Sequence, residues 1–394
     1  MAFPPSDRHR SLKADPTSRV HRIAVVIPRY GLLGGAENFV FELTERLARK
    51  PEFQVHVLAN QWRRKSSAIR FHKIPVWPFP RWMRPVSFAA GAGRRLRREA
   101  FDLVHSHERI FGCHLFTFHG IPHRVWVRRV REKPMSLFDV ATHWVEKRGM
   151  HSGDLQLLMP VSHLAREELI RAYPFLAPRV EVQHPGIETD RFDPADADQR
   201  RSRVRRDLGL QNSDILLLFV GMNFEVKRLQ AVLDALRHLN RTGEHAFHLG
   251  VVGKGPIGRY RRMAAEMGVG DRVFFAGAVA DVTDYYLAGD VFTMPSVYDT
   301  FGIAVLEAMA ACLPVVISDR VGAKDLVKDG TSGFVVPDPA NGPRLARAFA
   351  ALSELSMRRR MGEAARSTAL RQSWDRVEKE IARRYGASLR QRWG

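Results

Sequence analysis

Two carboxylates eight residues apart, Asp299 and Glu307, lie in the run Pro295-Ser-Val-Tyr-Asp-Thr-Phe-Gly-Ile-Ala-Val-Leu-Glu-Ala-Met-Ala310. Asp299 falls in a loop, and a helix is expected over 300–311 with Glu307 about two turns inside it. Between them the loop and first helical turn expose backbone N–H groups that can hold a diphosphate. Glu307 sits among apolar residues, where a carboxylate is costly unless it is paired or exposed. The plainer alternative is a cap at Asp299 and a surface glutamate at 307.

Lys227 and Arg228 end the segment Gly221-Met-Asn-Phe-Glu-Val-Lys-Arg228, which follows a strand expected over 215–220. A lysine meets a phosphate as a point charge, and an arginine grips one with two N–H groups. Cations at a helix start oppose the helix dipole, and a nearby anion would relieve that misfit. Two solvated cations are the simpler reading.

Glycines mark two other strand ends. Gly31-Leu-Leu-Gly34-Gly35-Ala36-Glu37 lets backbone and a helix start approach an anion, or merely makes a tight turn. Gly253-Lys-Gly255-Pro-Ile-Gly258 has the spacing of a dinucleotide fingerprint. The strand after it, 272–275, ends without the acid that such a site uses to hold a ribose, which argues against a nicotinamide cofactor. Asp196-Ala-Asp198 fits a metal-binding pattern by letter but lies in a polar linker suited to caps and turns.

The elements that must position these residues alternate. Strands are expected over 22–27, 54–59, 102–105, 115–118, 155–161 and 180–183, with a helix over 37–49. After a lapse at 184–214 the rhythm restarts: strands over 215–220, 247–252, 272–275, 290–294 and 314–317, with helices over 229–239, 257–267, 282–288 and 300–311. This is an α/β pattern of two doubly wound parallel sheets facing a cleft. The expected division is a flexible leader at 1–20, one domain over 21–190 and a second over 191–365. A helical segment over 366–394 would pack back on the first domain.

The chain has 394 residues, enough for two or three domains, and an ordinary globular composition with 45% apolar and 26% charged residues. That excludes collagen-like, coiled-coil and wholly disordered chains. Its charge is unusual: 62 Lys+Arg against 42 Asp+Glu give +20. Such a field favours an anionic partner. Two cysteines, Cys113 and Cys312, exclude a disulfide scaffold and fit a reducing compartment. No apolar run approaches the roughly 20 residues of a spanning helix. A cytoplasmic enzyme is therefore expected.

The block 250–337 resembles the donor domain of family 4 retaining glycosyltransferases, which have the two-Rossmann-domain GT-B fold. The matching pieces are Val251-Val-Gly-Lys-Gly-Pro256, Asp271-Arg-Val-Phe-Phe-Ala-Gly277, Ala288-Gly-Asp-Val-Phe292, Met294-Pro-Ser296, Phe301-Gly-Ile-Ala-Val-Leu-Glu-Ala-Met309, Pro314-Val-Val-Ile-Ser-Asp319 and Asp329-Gly-Thr-Ser-Gly333. Gly34-Gly35, Asp102-Leu-Val-His-Ser-His107, Phe118-His-Gly-Ile-Pro122 and His184-Pro-Gly-Ile187 extend it over nearly the whole chain.

The resemblance implies roles. Glu307 would bond the nucleotide ribose, and Asp299, a methylene shorter than the family's usual Glu, would stand near the sugar hydroxyls. The backbone of Phe301, Gly302, Ile303, Ala304 and Val305 would meet the diphosphate. Lys227 would bind phosphate, with Arg228 compensating for Met222, which stands where the family has an Arg. His119 would contact the donor sugar from across the cleft, and Gly34, Gly35, Gly221 and Gly253 would line the donor site. His119, Asp299 and Lys227 are thus the expected catalytic residues, with no metal and no resident cofactor. The nucleotide-sugar is the substrate. Glu108-Arg-Ile-Phe-Gly112 and Phe224-Glu-Val-Lys227 further resemble the lipopolysaccharide core glucosyltransferases, which implies UDP-glucose as donor and a saccharide or glycolipid acceptor. Transfer to another glycan is the alternative, and an NAD-linked oxidoreductase a distant one.

Residues 62–98 hold eleven Lys/Arg and no Asp/Glu, interleaved with Trp62, Trp77, Phe79, Trp82 and Phe88. Arg124-Val-Trp-Val-Arg-Arg-Val-Arg131 repeats the theme. Bases beside tryptophan suit an anionic membrane surface, here the inner face of the plasma membrane. A solvated charged face is the plain alternative. No recognised nucleic-acid motif appears, so no nucleic-acid partner is expected.

Overall fold

The computed structural model describes residues 19–32, 34–192, 196–337 and 342–393. The expected leader lies outside these residues apart from Arg19 and Val20. Six strands build the N-terminal sheet: β1 His21–Val26, β2 Phe53–Ala59, β3 Arg70–Lys73, β4 Leu103–Ser106, β5 Leu115–Phe118 and β6 Leu157–Pro160. Six more build the second: β7 Ile215–Val220, β8 Phe247–Val252, β9 Val273–Gly277, β10 Val291–Met294, β11 Val315–Ser318 and β12 Gly333–Val336. The orders are β3-β2-β1-β4-β5-β6 and β9-β8-β7-β10-β11-β12, the same arrangement twice. Neighbouring strands pair in parallel in both. The chain has the expected two Rossmann-like domains.

The pleat explains why these runs are apolar throughout. In β1, Ile23 and Val25 enter one core while Ala24 and Val26 enter the core on the opposite face. In β7, Leu217 and Phe219 face one way and Leu218 the other. Strands buried on both faces lose the polar alternation of a half-exposed sheet.

Each sheet reverses its order once, between β1 and β4 and between β7 and β10. Open α/β sheets bind ligands in the crevice outside the strand ends at such a point. Gly34 and Gly35 follow β1 and open helix α1, Gly35–Leu47. Gly221 and Lys227 follow β7, ahead of α4, Leu229–Arg241. Asp299 follows β10, ahead of α5, Ile303–Ala310. The N-terminal half also carries α2, Met83–Arg98, and α3, Leu137–Met150, which pack on each other. The sequence pattern assigns neither.

Besides shifts of one or two residues at other ends and the unexpected strands β3 and β12, three expectations change. Helix α5 starts at Ile303 rather than 300, because Gly302 at φ +88 breaks the helical path. Segment 180–183 is not a strand; Val180 makes a single bridge to Leu158 as the chain leaves the first sheet. Helix α6, Leu355–Leu370, runs through the expected break at 365/366, and its Ala369 packs in the C-terminal core. The crossing comes later, where Ser373 bridges Ile187. Beyond it, α7, Trp374–Trp393, lays Trp374, Val377, Ile381, Tyr385 and Leu389 on the core beneath β1. Their spacing of three and four makes one helical face.

Candidate active site

Lys227 and Asp299 come from loops on either side of the second sheet's reversal point and meet there. The Lys227 ammonium donates to Asp299 Oδ2 at 2.8 Å. Asp299 Oδ1 accepts from the Phe301 backbone N–H at 3.3 Å. Gly221 makes room for the lysine stem, and Gly253 makes room for Gly221. A Cβ on Gly253 would lie 1.9 Å from the Gly221 carbonyl, and one on Gly221 would lie 2.4 Å from Lys227 Cδ. The fingerprint-like turn at Gly253 thus packs on the Gly221 turn.

Gly302 ends the loop, and α5 begins without a side-chain cap. The first turn therefore leaves the Ile303 and Ala304 backbone N–H groups and the positive dipole end for an anion, whereas the Val305 N–H, expected from sequence to join them, bonds the Gly302 carbonyl at 2.9 Å. The glycine turn of the N-terminal half approaches the same place: a Cβ on Gly35 would lie 3.3 Å from Ile303 Cδ1.

Glu307, deeper in α5, is not a surface residue. Its Oε2 accepts from the Tyr286 hydroxyl at 2.8 Å, and Arg191 stands 3.9 Å from Oε1. Burial raises its pKa, with the Tyr286 hydrogen bond and the Arg191 charge opposing. Arg191 also donates to Asp281 at 2.9 Å and Thr283 at 2.8 Å. Neither Tyr286 nor Arg191 was singled out from sequence. Nothing local marks them, since they reach Glu307 only through the folded topology.

The N-terminal half supplies His119 just after β5. A cavity of about 430 Å³ between the halves is lined by His119, Arg109, Met222, Lys227, Asp299 and Thr300. All three expected catalytic residues therefore share one cavity. The Thr300 hydroxyl donates to the His119 carbonyl at 2.9 Å, and the Ser162 hydroxyl donates to the Thr300 carbonyl at 2.5 Å. These bonds fasten the halves beside the cavity. Burial lowers the His119 pKa to about 3, so its imidazole is neutral at ordinary pH.

Arg228 does not join Lys227, contrary to the expected compensation for Met222. In the left-handed conformation at φ +58, Arg228 lines an adjoining cavity of about 990 Å³ with Arg131, Lys133 and Arg259. Asp196 precedes the helix Ala197–Asp207 but makes no capping bond with its side chain.

One cluster of three metal-capable side chains occurs among the described residues: His56, His72 and Glu99. It lies at the far edge of the N-terminal sheet, where every polar atom has a donor or acceptor to match. Arg95 donates to His72 Nδ1 at 2.6 Å, His72 Nε2 meets His56 Nδ1 at 2.8 Å, and His56 Nε2 meets Gln54 Oε1 at 3.0 Å. Two arginines also pair with Glu99. The acceptor nitrogens of both histidines are thus already taken by N–H donors.

The Glycosyltransferase Family 4 profile matches residues 33–191, and the Glycosyl transferases group 1 profile matches residues 200–368. A D-inositol 3-phosphate glycosyltransferase of Acidothermus cellulolyticus is 28% identical over 100% of this chain and 96% of its own length. The alpha-D-kanosaminyltransferase of Streptomyces kanamyceticus is 29% identical over 68% of this chain and 73% of its own. Among solved structures, WaaG, a glycosyltransferase involved in lipopolysaccharide biosynthesis, superposes with a TM-score of 0.77 at 22% identity, covering 91% of this chain and 98% of that one. HepE of Anabaena, solved with UDP-glucose, gives 0.72 at 17% identity, covering 93% and 100%. At these identities the structures speak for the fold. The two profiles lie in tandem, one on each Rossmann-like half, and the chain belongs to the GT-B glycosyltransferases.

Proposed function

We propose that the enzyme transfers a hexose with retention of configuration from a UDP-sugar, UDP-glucose or one similar, to a saccharide or glycolipid acceptor in cell-surface glycan synthesis. The observation that carries this reading is the convergence of Lys227, Asp299 and the uncapped start of α5 opposite His119. In the reaction the bond from the anomeric carbon to the diphosphate breaks, and the acceptor oxygen bonds that carbon from the same face. The acceptor proton passes to a diphosphate oxygen. Lys227 and the α5 N–H groups neutralise the leaving group's growing charge, and Glu307 holds the ribose. The reading requires no metal and no resident cofactor.

The acceptor side is cationic and partly apolar. A cavity of about 770 Å³ in the N-terminal half is lined by Arg29, Arg81, Arg84 and Arg109, and it shares Arg109 and His123 with the catalytic cavity. A phosphorylated acceptor, as in the names of several relatives, suits that lining. Beside it the surface favours an anionic membrane. Trp77, Trp82 and Phe79, the last 83% exposed, stand with exposed Arg81, Arg94, Arg97 and Arg98. Helix α3 buries Val145 and Met150 but also carries apolar residues on its exposed side. Leu137, Val140 and Trp144 face outward, while Asp139 and Glu146 are buried against Arg131 and Arg109. Rings and aliphatic side chains amid cations match a headgroup layer. No helix among the described residues is long and apolar enough to cross a membrane, so this contact is peripheral in the proposal.

A panel of nucleotide-sugars, read by released nucleoside diphosphate and by the anomeric configuration of the product, tests the proposal. Release from a UDP-hexose with retention is expected. Inversion, or release from none of the panel, overturns it.

A further inference from the structure

The N-terminal half contains two histidine pairs, and only one is complete. At the sheet edge the His56–His72 pair is satisfied at every ring nitrogen. Beneath the cleft, His107 Nδ1 and His119 Nε2 lie 3.0 Å apart. His107 Nε2 is buried and has no partner. The His119 ring makes no other hydrogen bond among the described residues, which leaves its Nδ1 to the cavity it lines.

That asymmetry decides where the protons sit. A neutral imidazole has one N–H donor and one bare acceptor nitrogen. An orphaned buried N–H is rarer and harder to accommodate than an under-used acceptor. His107 Nε2 is therefore the bare nitrogen and His107 Nδ1 carries the proton. It donates to His119 Nε2, so the proton of His119 must lie on Nδ1.

The surroundings hold this arrangement still. His105, behind the pair, is bonded at both nitrogens, to the Tyr385 hydroxyl at 2.7 Å and to Thr117 at 2.8 Å. Its ring centroid lies 4.1 Å from that of His107. Phe39 of α1 sets its ring against both members, 5.6 Å from His107 and 4.9 Å from His119. The His107 backbone N–H bonds the Val26 carbonyl at 2.9 Å, which ties the residue to the end of β1.

We propose that His107 is a positioning residue that fixes His119 as the Nδ1–H tautomer, so that His119 presents an N–H donor to a hydroxyl of the bound donor sugar. The proposal rests on the reading of His119 as a sugar contact, but the tautomer itself can be measured without any substrate.

Long-range proton–nitrogen NMR on the full chain, with His119 identified by its absence in His119→Gln, reports which nitrogen carries the proton. We expect Nδ1 in the wild type, loss of that preference in His107→Gln and its return in His107→Asn. The Asn amide nitrogen stands where Nδ1 stood, whereas that of Gln reaches past it. A wild-type His119 protonated on Nε2, or one indifferent to His107→Gln, overturns the proposal. With UDP-glucose as donor probe, His107→Gln should lower kcat/KM about tenfold, near the effect of one neutral hydrogen bond, with UDP affinity unchanged. His107→Asn should recover most of it. Equal losses in the two variants, or a matching fall in UDP affinity, indicate a merely structural role and also overturn it. If His119→Gln turns over UDP-glucose like the wild type, the sugar-contact reading fails, while the tautomer measurement judges the His107–His119 coupling separately.

Discussion

The two halves repeat one strand order and differ in what they place where that order reverses. The C-terminal half brings a lysine, a carboxylate and an uncapped helix start there. The N-terminal half brings a glycine turn, buried neutral imidazoles and Arg109, and sets further cations outside, on α2 and beside exposed tryptophans. The same scaffold thus handles charge in one half and positions and docks in the other. Function resides in the loops at the strand ends, and the sheet only decides which loops can meet.

The sharpest way to break that division is to remove the charge. Lys227→Ala should lower turnover about 100-fold or more, as expected for loss of a donor to a developing anion. Arg259→Ala, in the neighbouring cavity, should leave turnover near the wild-type rate. Steady-state assays on both variants decide, and equal losses would erase the distinction between the two cavities.

The converse test strips the surface of the first half. Replacing Arg94, Arg97 and Arg98 with Ser should weaken binding to anionic vesicles by up to about 3 kcal/mol in total, with the effect screened by salt. Arg95 is left in place because it pairs with Glu99 and His72. Co-sedimentation at low and high salt reads the change, and UDP affinity should not move. A parallel loss of UDP affinity would mean that the halves do not divide the work.

Glu307→Gln should weaken UDP binding by about 1.5–3 kcal/mol, the range for a hydrogen bond to a charged group. Burial raises the wild-type pKa, so Glu307 takes up its proton earlier on acidification than an ordinary glutamate does. Calorimetric affinity for UDP should therefore fall with decreasing pH in the wild type, and this component should vanish in Glu307→Gln. Equal affinities in the two proteins would remove Glu307 from the site.

How much of this was legible in the sequence follows the same divide. Strand β7, Ile-Leu-Leu-Leu-Phe-Val, and the Asp299–Glu307 run are continuous and chemically distinctive. Edge strand β3 reads Arg-Phe-His-Lys because one side lacks a neighbour, and its pattern hides among surface cations. Helix α3 buries Asp139 and Glu146 along with Ala141, Val145 and Met150 and exposes Leu137, Val140 and Trp144, so its apolar residues do not mark a single buried face. The partners of the key groups, Arg191 for Glu307 and His107 for His119, depend on which distant loops the strand order brings together. Arg228 shows the opposite error: adjacency to Lys227 suggested a shared ligand, and a left-handed backbone turned it to another cavity.

The buried imidazoles also distinguish the N-terminal half in its stability. His105 and His119 are lowered from 6.5 to about 3 by burial. Depressed folded values mean that the unfolded chain takes up protons first as pH falls. Their contribution is fully present above 6.5 and is lost progressively toward 3, at about 1.4 kcal/mol per imidazole per pH unit. The thermal midpoint should decline steadily below pH 6.5. A flat midpoint down to about pH 4.5 would show that these rings charge inside the fold.

The division of labour is tested most directly by locating a bound nucleotide. In a crystal structure with UDP, the diphosphate is expected within hydrogen-bond reach of Lys227 Nζ and the first N–H groups of α5, with the ribose on Glu307. A diphosphate held instead by Arg228, Arg131 and Lys133 in the neighbouring cavity would contradict it.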